Sequence, residues 1–243
     1  MAARRFVVEG PQAVREALAA GALLELFFEP GRQMDLVTEA YQSGVLVTEV
    51  TAEVLAAMGE TVTPQGVLGT ASLLDVPLRQ ALSGSPRLVV VLDGVSDPGN
   101  AGTAIRVADA AGADAVILTG GSVDPHGGKC VRATAGSLWH LPVVHGPDLA
   151  EILPALRAAG LQVLATTGTG AEDLDDLIDA GDLAAPTAWL LGPEAAGLSE
   201  AALSLADRRV RIPLHGRAES LNLATAAAVV AYASARAHRW SPG

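Results

Sequence analysis

The chain has 243 residues, half of them hydrophobic but only 3% aromatic, and a formal net charge of −11. That length supports one large or two modest domains. No apolar run reaches the roughly 18–20 residues of an uninterrupted membrane span, and the start MAARRFVVEGPQ reads as neither signal peptide nor anchor. A single cysteine, Cys130, excludes an internal disulfide and predicts a reducing, cytoplasmic setting, and the acidic balance opposes nucleic-acid binding unless charge is segregated.

In chain order, PQAVREALAAG has apolar residues at helical spacing and stops at Gly21; LLELFFE reads as a strand; MDLVTEAYQSG is a second helix closed by Gly44. VLVTEVT alternates as a strand, AEVLAAMG is a short helix, and GVLGTASL supplies one more strand. The segment DVPLRQALSGSPR (75–87) has linker composition, and the expected division is a small α/β domain over 1–78, a linker over 79–86 and a larger domain over 87–243.

The larger part alternates strand, loop and helix. LVVVLDGV is a continuous apolar run of the kind buried on both faces; NAGTAIRVADAAG is a helix; DAVILTGG, LQVLATT, TAWLLG and RRVRIPL are further strands. The fold class expected is α/β, a mostly parallel sheet with helices on both faces. In such sheets ligands bind beyond the carboxyl ends of the strands, so the loops after Leu92, Leu164, Leu191 and Pro213 are where chemistry is expected.

Three of these loops carry unusual residues. In SDPGNAGTAIRVADAAG, Asn100 reads as an N-cap, Gly102 permits a close approach, and Thr103, Arg106 and Asp109 share one helix side. Arg106 is either one half of a surface pair with Asp109 or a functional cation. In WLLGPEAAGLSEAAL, Gly192 and Pro193 make a turn that presents Glu194, and Ser199 caps a helix. In AESLNLATAAAVVAYASAR, Ser220 and Asn222 precede a long small-residue helix, one polar residue more than a cap requires. The run EDLDDLIDAGD (172–182) reads as a solvated acidic helix face, DRRVRIPLHGR (207–217) as a basic segment beside the Ser-Leu-Asn step, and Lys129 with Arg132 as a candidate phosphate contact. Neither a dinucleotide glycine fingerprint nor a phosphate-binding Walker loop is present, and His126, His140, His145, His215 and His238 lie at no metal-ligand spacing, so no metal is expected.

The blocks LDGVSDPGNAGTAIRVADAAGADAVIL, KCVRATAGSLWHLPV, LLGPEAAGLS and RIPLHGRAESLNLATAAAVVAY resemble, in order and spacing, the SpoU/TrmH family of RNA ribose 2′-O-methyltransferases of the SPOUT class. VVEGPQAVREALAAGALLELFFEPG and TPQGVLGTASL resemble the ribosomal-protein-like substrate-binding domain of many members. The resemblance implies a deep trefoil knot, an S-adenosyl-L-methionine site, and a homodimer with active sites at the subunit interface. By motif match it implies catalytic roles for Asn100, Arg106, Glu194, Ser220 and Asn222, and a cofactor site at Ala165, Thr166, Thr167, Gly168, Leu191, Gly192, Ile212, Leu214, Leu221 and Asn222.

The implied activity is methylation of a ribose 2′-hydroxyl, with 23S rRNA as the expected substrate. The alternatives are a tRNA methyltransferase with the same pocket, or a catalytically silent RNA-binding or ribosome-assembly protein. Alignment dominates such an in-line transfer. Arg106, always protonated, suits a grip on the phosphate beside the target ribose better than proton abstraction.

Overall fold

The computed structural model describes residues 5–61, 63–193 and 196–240, with no statement on the side chain of residue 240. The first sheet is built by β1 (Arg5–Glu9), β2 (Leu23–Phe28), β3 (Leu46–Glu49) and β4 (Val67–Ser72), with α1 (Pro11–Ala19), α2 (Met34–Gln42) and α3 (Ala52–Met58) between them. Its order is β1-β4-β2-β3, with β4 antiparallel to both neighbours and β2 parallel to β3. The strand β1 escapes the sequence pattern because its alternation runs straight into the Gly10-Pro11 helix start.

The segment between the sheets contains α4 (Leu78–Ala81), whose Leu78 and Ala81, with Leu82, belong to the same buried core as Val89, Val91 and Ile152. The connection is therefore packed on the second sheet rather than hanging free of it.

The second sheet takes β5 (Leu88–Leu92), β6 (Ala115–Leu118), β7 (Val143–His145), β8 (Gln162–Thr166), β9 (Glu172–Asp173), β10 (Thr187–Leu191) and β11 (Arg208–Arg211), all paired in parallel, in the order β7-β6-β5-β10-β8-β11-β9. The expected parallel architecture is what forms. Along β5 the apolar run divides by parity: Leu88, Val90 and Leu92 join one core with Ile105 and Trp189, and Val89 and Val91 join the other with Ile117 and Ile152.

Helices cover both faces: α5 (Pro98–Ala111), α6 (Gly128–Thr134), α7 (Leu149–Ala158), α8 (Leu174–Ala180), α9 (Glu200–Leu205) and α10 (Leu223–Trp240). The small-residue sequence of α10 has a packing reason. Leu223, Ala224, Ala227, Val230, Ala231 and Ser234 form its buried stripe, and Ser234 Oγ accepts the Trp189 indole N–H at 2.9 Å, tying the helix to β10. The helix α7 carries apolar residues at helical spacing, Leu149, Ile152, Leu153 and Leu156, and runs through Pro154; its start is marked by Asp148, whose carboxylate accepts the Glu151 N–H at 3.0 Å.

Candidate functional site

The carboxyl ends of β8, β10 and β11 feed three turns that close around a cleft of about 170 Å³. Thr166, Thr167 and Gly168 follow β8, Leu191 and Gly192 follow β10, and Ile212 and Leu214 follow β11; Ser220, Leu221, Leu223 and Ala226 close the remaining side. Eight of the residues expected to hold a cofactor line this one space. Gly192 is required by contact rather than by conformation, because a Cβ there would lie 2.7 Å from the Gly197 carbonyl carbon and the Leu198 nitrogen. Gly168, Gly192, Ile212 and Leu214 stand outside the strand ladders, so their peptide groups are presented at the cleft by the turns.

Two expected members are placed differently. Ala165 is fully buried inside β8, where its methyl joins the core with Val163 and Leu190; the cleft begins one residue later. Asn222 does not line the cleft. Its Oδ1 accepts the Ala224 and Thr225 N–H groups at 3.0 and 3.2 Å, which makes it the cap of α10, and its Nδ2 donates to Asn100 Oδ1 at 3.0 Å. One side chain thus joins the starts of α5 and α10. Ser220, although on the cleft wall, is exposed and precedes the cap.

Asn100 is not the cap of α5, contrary to the sequence reading. Asp97 is: its Oδ1 accepts the Asn100 N–H at 2.8 Å, and Pro98 occupies the first helical position, the signal that marks the true start. The Asn100 side chain is thereby released to meet Asn222. Arg106 lies two turns further on, exposed, and Asp109 is not its partner: that carboxylate binds His140 at 2.7 Å. Of the two readings of Arg106, the surface pair is excluded, and among the described residues no ion pair engages its guanidinium. Glu194, the remaining expected catalytic residue, falls outside the described residues.

Gly102 performs the role expected of it. A Cβ there would sit 2.4 Å from the Cys130 carbonyl oxygen and 2.7 Å from Ala133 Cβ, so α6 lies directly on the first turns of α5. Cys130 is buried, and its thiol is pushed up to about 12, first by desolvation and then by Asp124 and Asp97, which excludes a thiolate nucleophile.

The charged segments are corrected by the structure. Lys129 pairs with Asp97 at 3.2 Å and Arg132 with Glu9 at 2.7 Å, so neither is an open phosphate contact. The acidic run is not wholly solvated and the basic run is not wholly free: Arg208 binds Glu172 and Asp182, Arg211 binds Asp173, and Arg209 lies 3.4 Å from Glu200. The carboxylates of Glu172 and Asp173 are held below their ordinary range by the hydrogen bonds from Arg208 and Arg211. Arg217 remains exposed, with no ion pair among the described residues. Gly170, a residue periodicity does not single out, is pressed between these strands, 2.5 Å from the Arg211 nitrogen at its would-be Cβ. Among the described residues no cluster of three metal-ligating side chains occurs, and no helix is long and apolar enough to cross a membrane.

The family model described as SpoU rRNA Methylase matches residues 87–232, and that described as RNA 2'-O ribose methyltransferase substrate binding matches residues 7–76. The chain is 34% identical to the 23S rRNA (guanosine(2553)-2'-O)-methyltransferase RlmP of Bacillus subtilis, over 93% of this chain and 87% of that one. It is 33% identical to the 23S rRNA (guanosine-2'-O-)-methyltransferase RlmB of Ralstonia nicotianae, over 87% of each. Among solved structures, the AdoMet-bound rRNA methyltransferase of Sinorhizobium meliloti superposes with a TM-score of 0.84 at 36% identity, over 96% of this chain and 87% of that one. The SpoU methyltransferase AviRb of Streptomyces viridochromogenes in complex with AdoMet superposes with a TM-score of 0.85 at 31% identity, over 99% and 92%. With both family models matching and relatives aligned over nearly its whole length, the chain belongs to the SpoU rRNA methylase family.

Proposed function

We propose that this chain is an S-adenosyl-L-methionine-dependent RNA 2′-O-methyltransferase acting on 23S rRNA. The observation that carries the reading is the Asn222–Asn100 hydrogen bond of 3.0 Å, which joins two of the motif blocks, next to the start of the helix whose Leu223 and Ala226 line the cleft between the turns after β8, β10 and β11. The cleft suits S-adenosyl-L-methionine: apolar Leu191, Ile212, Leu221 and Leu223 favour a flat base, and turn peptide groups supply neutral hydrogen bonds. When bound, that molecule supplies the electrophilic methyl group for in-line displacement by the ribose oxygen.

Thr166, Thr167, Gly168, Leu191, Gly192, Ile212, Leu214 and Leu221 would hold it. Arg106 takes a phosphate in its two-pronged geometry and so fixes the adjoining ribose; being protonated throughout, it orients the hydroxyl and does not remove its proton. Asn100, Ser220 and Asn222 orient the ribose by neutral hydrogen bonds, and Glu194 belongs to the same set by motif. The domain division is 1–78, 79–86 and 87–243, with the first unit binding RNA.

A homodimer formed through α10 belongs to this reading. Its support is the groove of about 790 Å³ between α8 and α10, where Ile178, Val229 and Tyr232 are exposed. The trefoil knot belongs to it through the family resemblance, and a cytoplasmic setting belongs to it as well, supported by the single buried thiol.

The test is transfer of labelled methyl from S-adenosyl-L-methionine to rRNA and, separately, to tRNA, both from cells lacking the protein. Label on rRNA is expected. Label on tRNA alone would replace the substrate assignment, and label on neither would remove the enzyme assignment.

A further inference from the structure

The first sheet domain rests on one segment of the second, residues 126–140, between β6 and β7. At its start the His126 ring lies 4.7 Å from Phe6 and accepts the Leu74 N–H at 3.3 Å. In its middle Arg132 reaches the Glu9 carboxylate, a side chain only 6% exposed, at 2.7 Å. At its end His140 stands between carboxylates of both domains: Nδ1 is 2.7 Å from Asp109 Oδ2 on α5, and Nε2 is 3.3 Å from Glu16 Oε2 on α1.

Two features show that the last contact is built. Glu16 is held at its other oxygen by Gln12 Nε2 at 2.8 Å, and it crosses bare backbone at Gly136, where φ is 105° and a Cβ would lie 2.4 Å from Glu16 Cγ. Moreover, a neutral imidazole carries a single N–H and can donate to only one of two carboxylates, so satisfying Asp109 and Glu16 together requires the imidazolium. Asp109 follows Arg106 by three residues on the same helix side, which places the bridge one turn from that guanidinium.

We propose that His140 is a positioning residue for methyl transfer: as an imidazolium it ties α1 of the substrate domain to α5, so that RNA held by the first domain meets Arg106 in a fixed register. This rests on the roles given above to Arg106 and to the first domain. Asp109 on α5 and Glu16 on α1 are the charged groups that face the ring. The ring is held protonated above its ordinary range, first by the hydrogen bond to Asp109 and then by that to Glu16. The tie is therefore complete below the ordinary histidine value of about 6.5 and is lost as pH rises through the elevated one.

The experiment uses the full chain and compares kcat on rRNA, per S-adenosyl-L-methionine site titrated, for wild type, His140→Gln and His140→Arg across pH. The ratio of His140→Gln to wild type is expected to be about one-half to one-fifth at low pH and to return toward one at high pH, with KM for RNA little changed. His140→Arg, a permanent cation, should hold the high level after wild type has fallen. A ratio of one throughout, or a deficit independent of pH, overturns the proposal. If His140→Gln loses cofactor binding, Glu16→Gln breaks the same contact from the other side and is judged by the same ratio. If wild type methylates no RNA, the functional reading has failed, and hydrogen exchange of residues 11–19 decides the tie on its own. Faster exchange in His140→Gln at low pH alone supports it, and unchanged exchange refutes it.

Discussion

Asn222 carries two tasks in one amide, and substitution can separate them. Its Oδ1 caps α10 through the Ala224 and Thr225 N–H groups, and its Nδ2 reaches Asn100. In Asn222→Ala both are lost: the cap contributes about 1 kcal/mol and the amide–amide hydrogen bond about another 1 kcal/mol. For a chain of this size that corresponds to a drop in Tm of about 4–8 °C. Asn222→Asp keeps an acceptor over the helix start, where a carboxylate gains roughly 0.3–1 kcal/mol from the helix dipole, so its Tm should stay near wild type. It loses the donor, however, and faces the Asn100 oxygen with another oxygen. Asn100 can recover the contact only by turning its amide end for end, which reverses donor and acceptor at the ribose. The expected outcome is a stable protein with a kcat lowered about 10–100-fold. Thermal melts by circular dichroism, cofactor titration and single-turnover methyl transfer measure the three quantities. An Asn222→Asp enzyme with wild-type kcat would refute the active-site role, and one that melts like Asn222→Ala would refute the cap.

Arg106→Ala should lose about 10²–10³ in kcat/KM with stability within about 0.5 kcal/mol, because the side chain is exposed and unpaired among the described residues; Arg106→Lys should recover only part, and full activity in the Ala variant sinks the assignment. Gly102→Ala sets a helix-propensity gain of about 1 kcal/mol against a Cβ placed 2.4 Å from the Cys130 oxygen. Because that neighbour is backbone, the clash should win and lower stability by about 1–3 kcal/mol in denaturant titration, whereas a stabilised variant would mean the two helices part easily. The depressed Glu172 and Asp173 carboxylates stabilise the β9–β11 edge above their unfolded values near 4 and cease to do so as pH falls through the folded ones. Cofactor affinity at the adjoining 166–168 turn should therefore weaken on acidification below about pH 4, and affinity that holds there would count against the coupling. RNA affinity should fall with salt at a log–log slope of about −2, as expected for roughly two to three phosphates; a slope of −6 would refute recognition through a few focused contacts.

Much of the second domain was legible because its strands are buried on both faces and read as unbroken apolar runs. The first domain's β1, the three-residue β7 and the two-residue β9 are too short or too poorly bounded to announce themselves. The cleft was legible through its motifs, since a turn after each strand end supplies one wall. What could not be read is pairing across the chain. Nothing local says that Asp109 belongs to His140 and not to Arg106, or that Asn100 meets a residue 122 positions away. The cap of α5 could have been found, because an aspartate before a proline at a helix start is a stronger cue than an asparagine two residues inside.

The distribution of charge explains how so acidic a chain can act on RNA. Net charge averages over carboxylates that are already engaged. Glu9, Glu172, Asp173, Asp182 and Asp207 each hold an arginine, and those arginines in turn fix domain contacts and the edge of the sheet. Such pairs are nearly neutral at a distance beyond the screening length, so they neither attract nor strongly repel a polyanion. Attraction for RNA then falls to the cations left out of the pairing, Arg106 on α5 and Arg217 in the loop before α10 among them. Recognition built this way is weak in general and demanding in geometry, because one misplaced arginine removes a large share of the attraction. It follows that rigidity of the scaffold matters more here than in a basic RNA-binding protein.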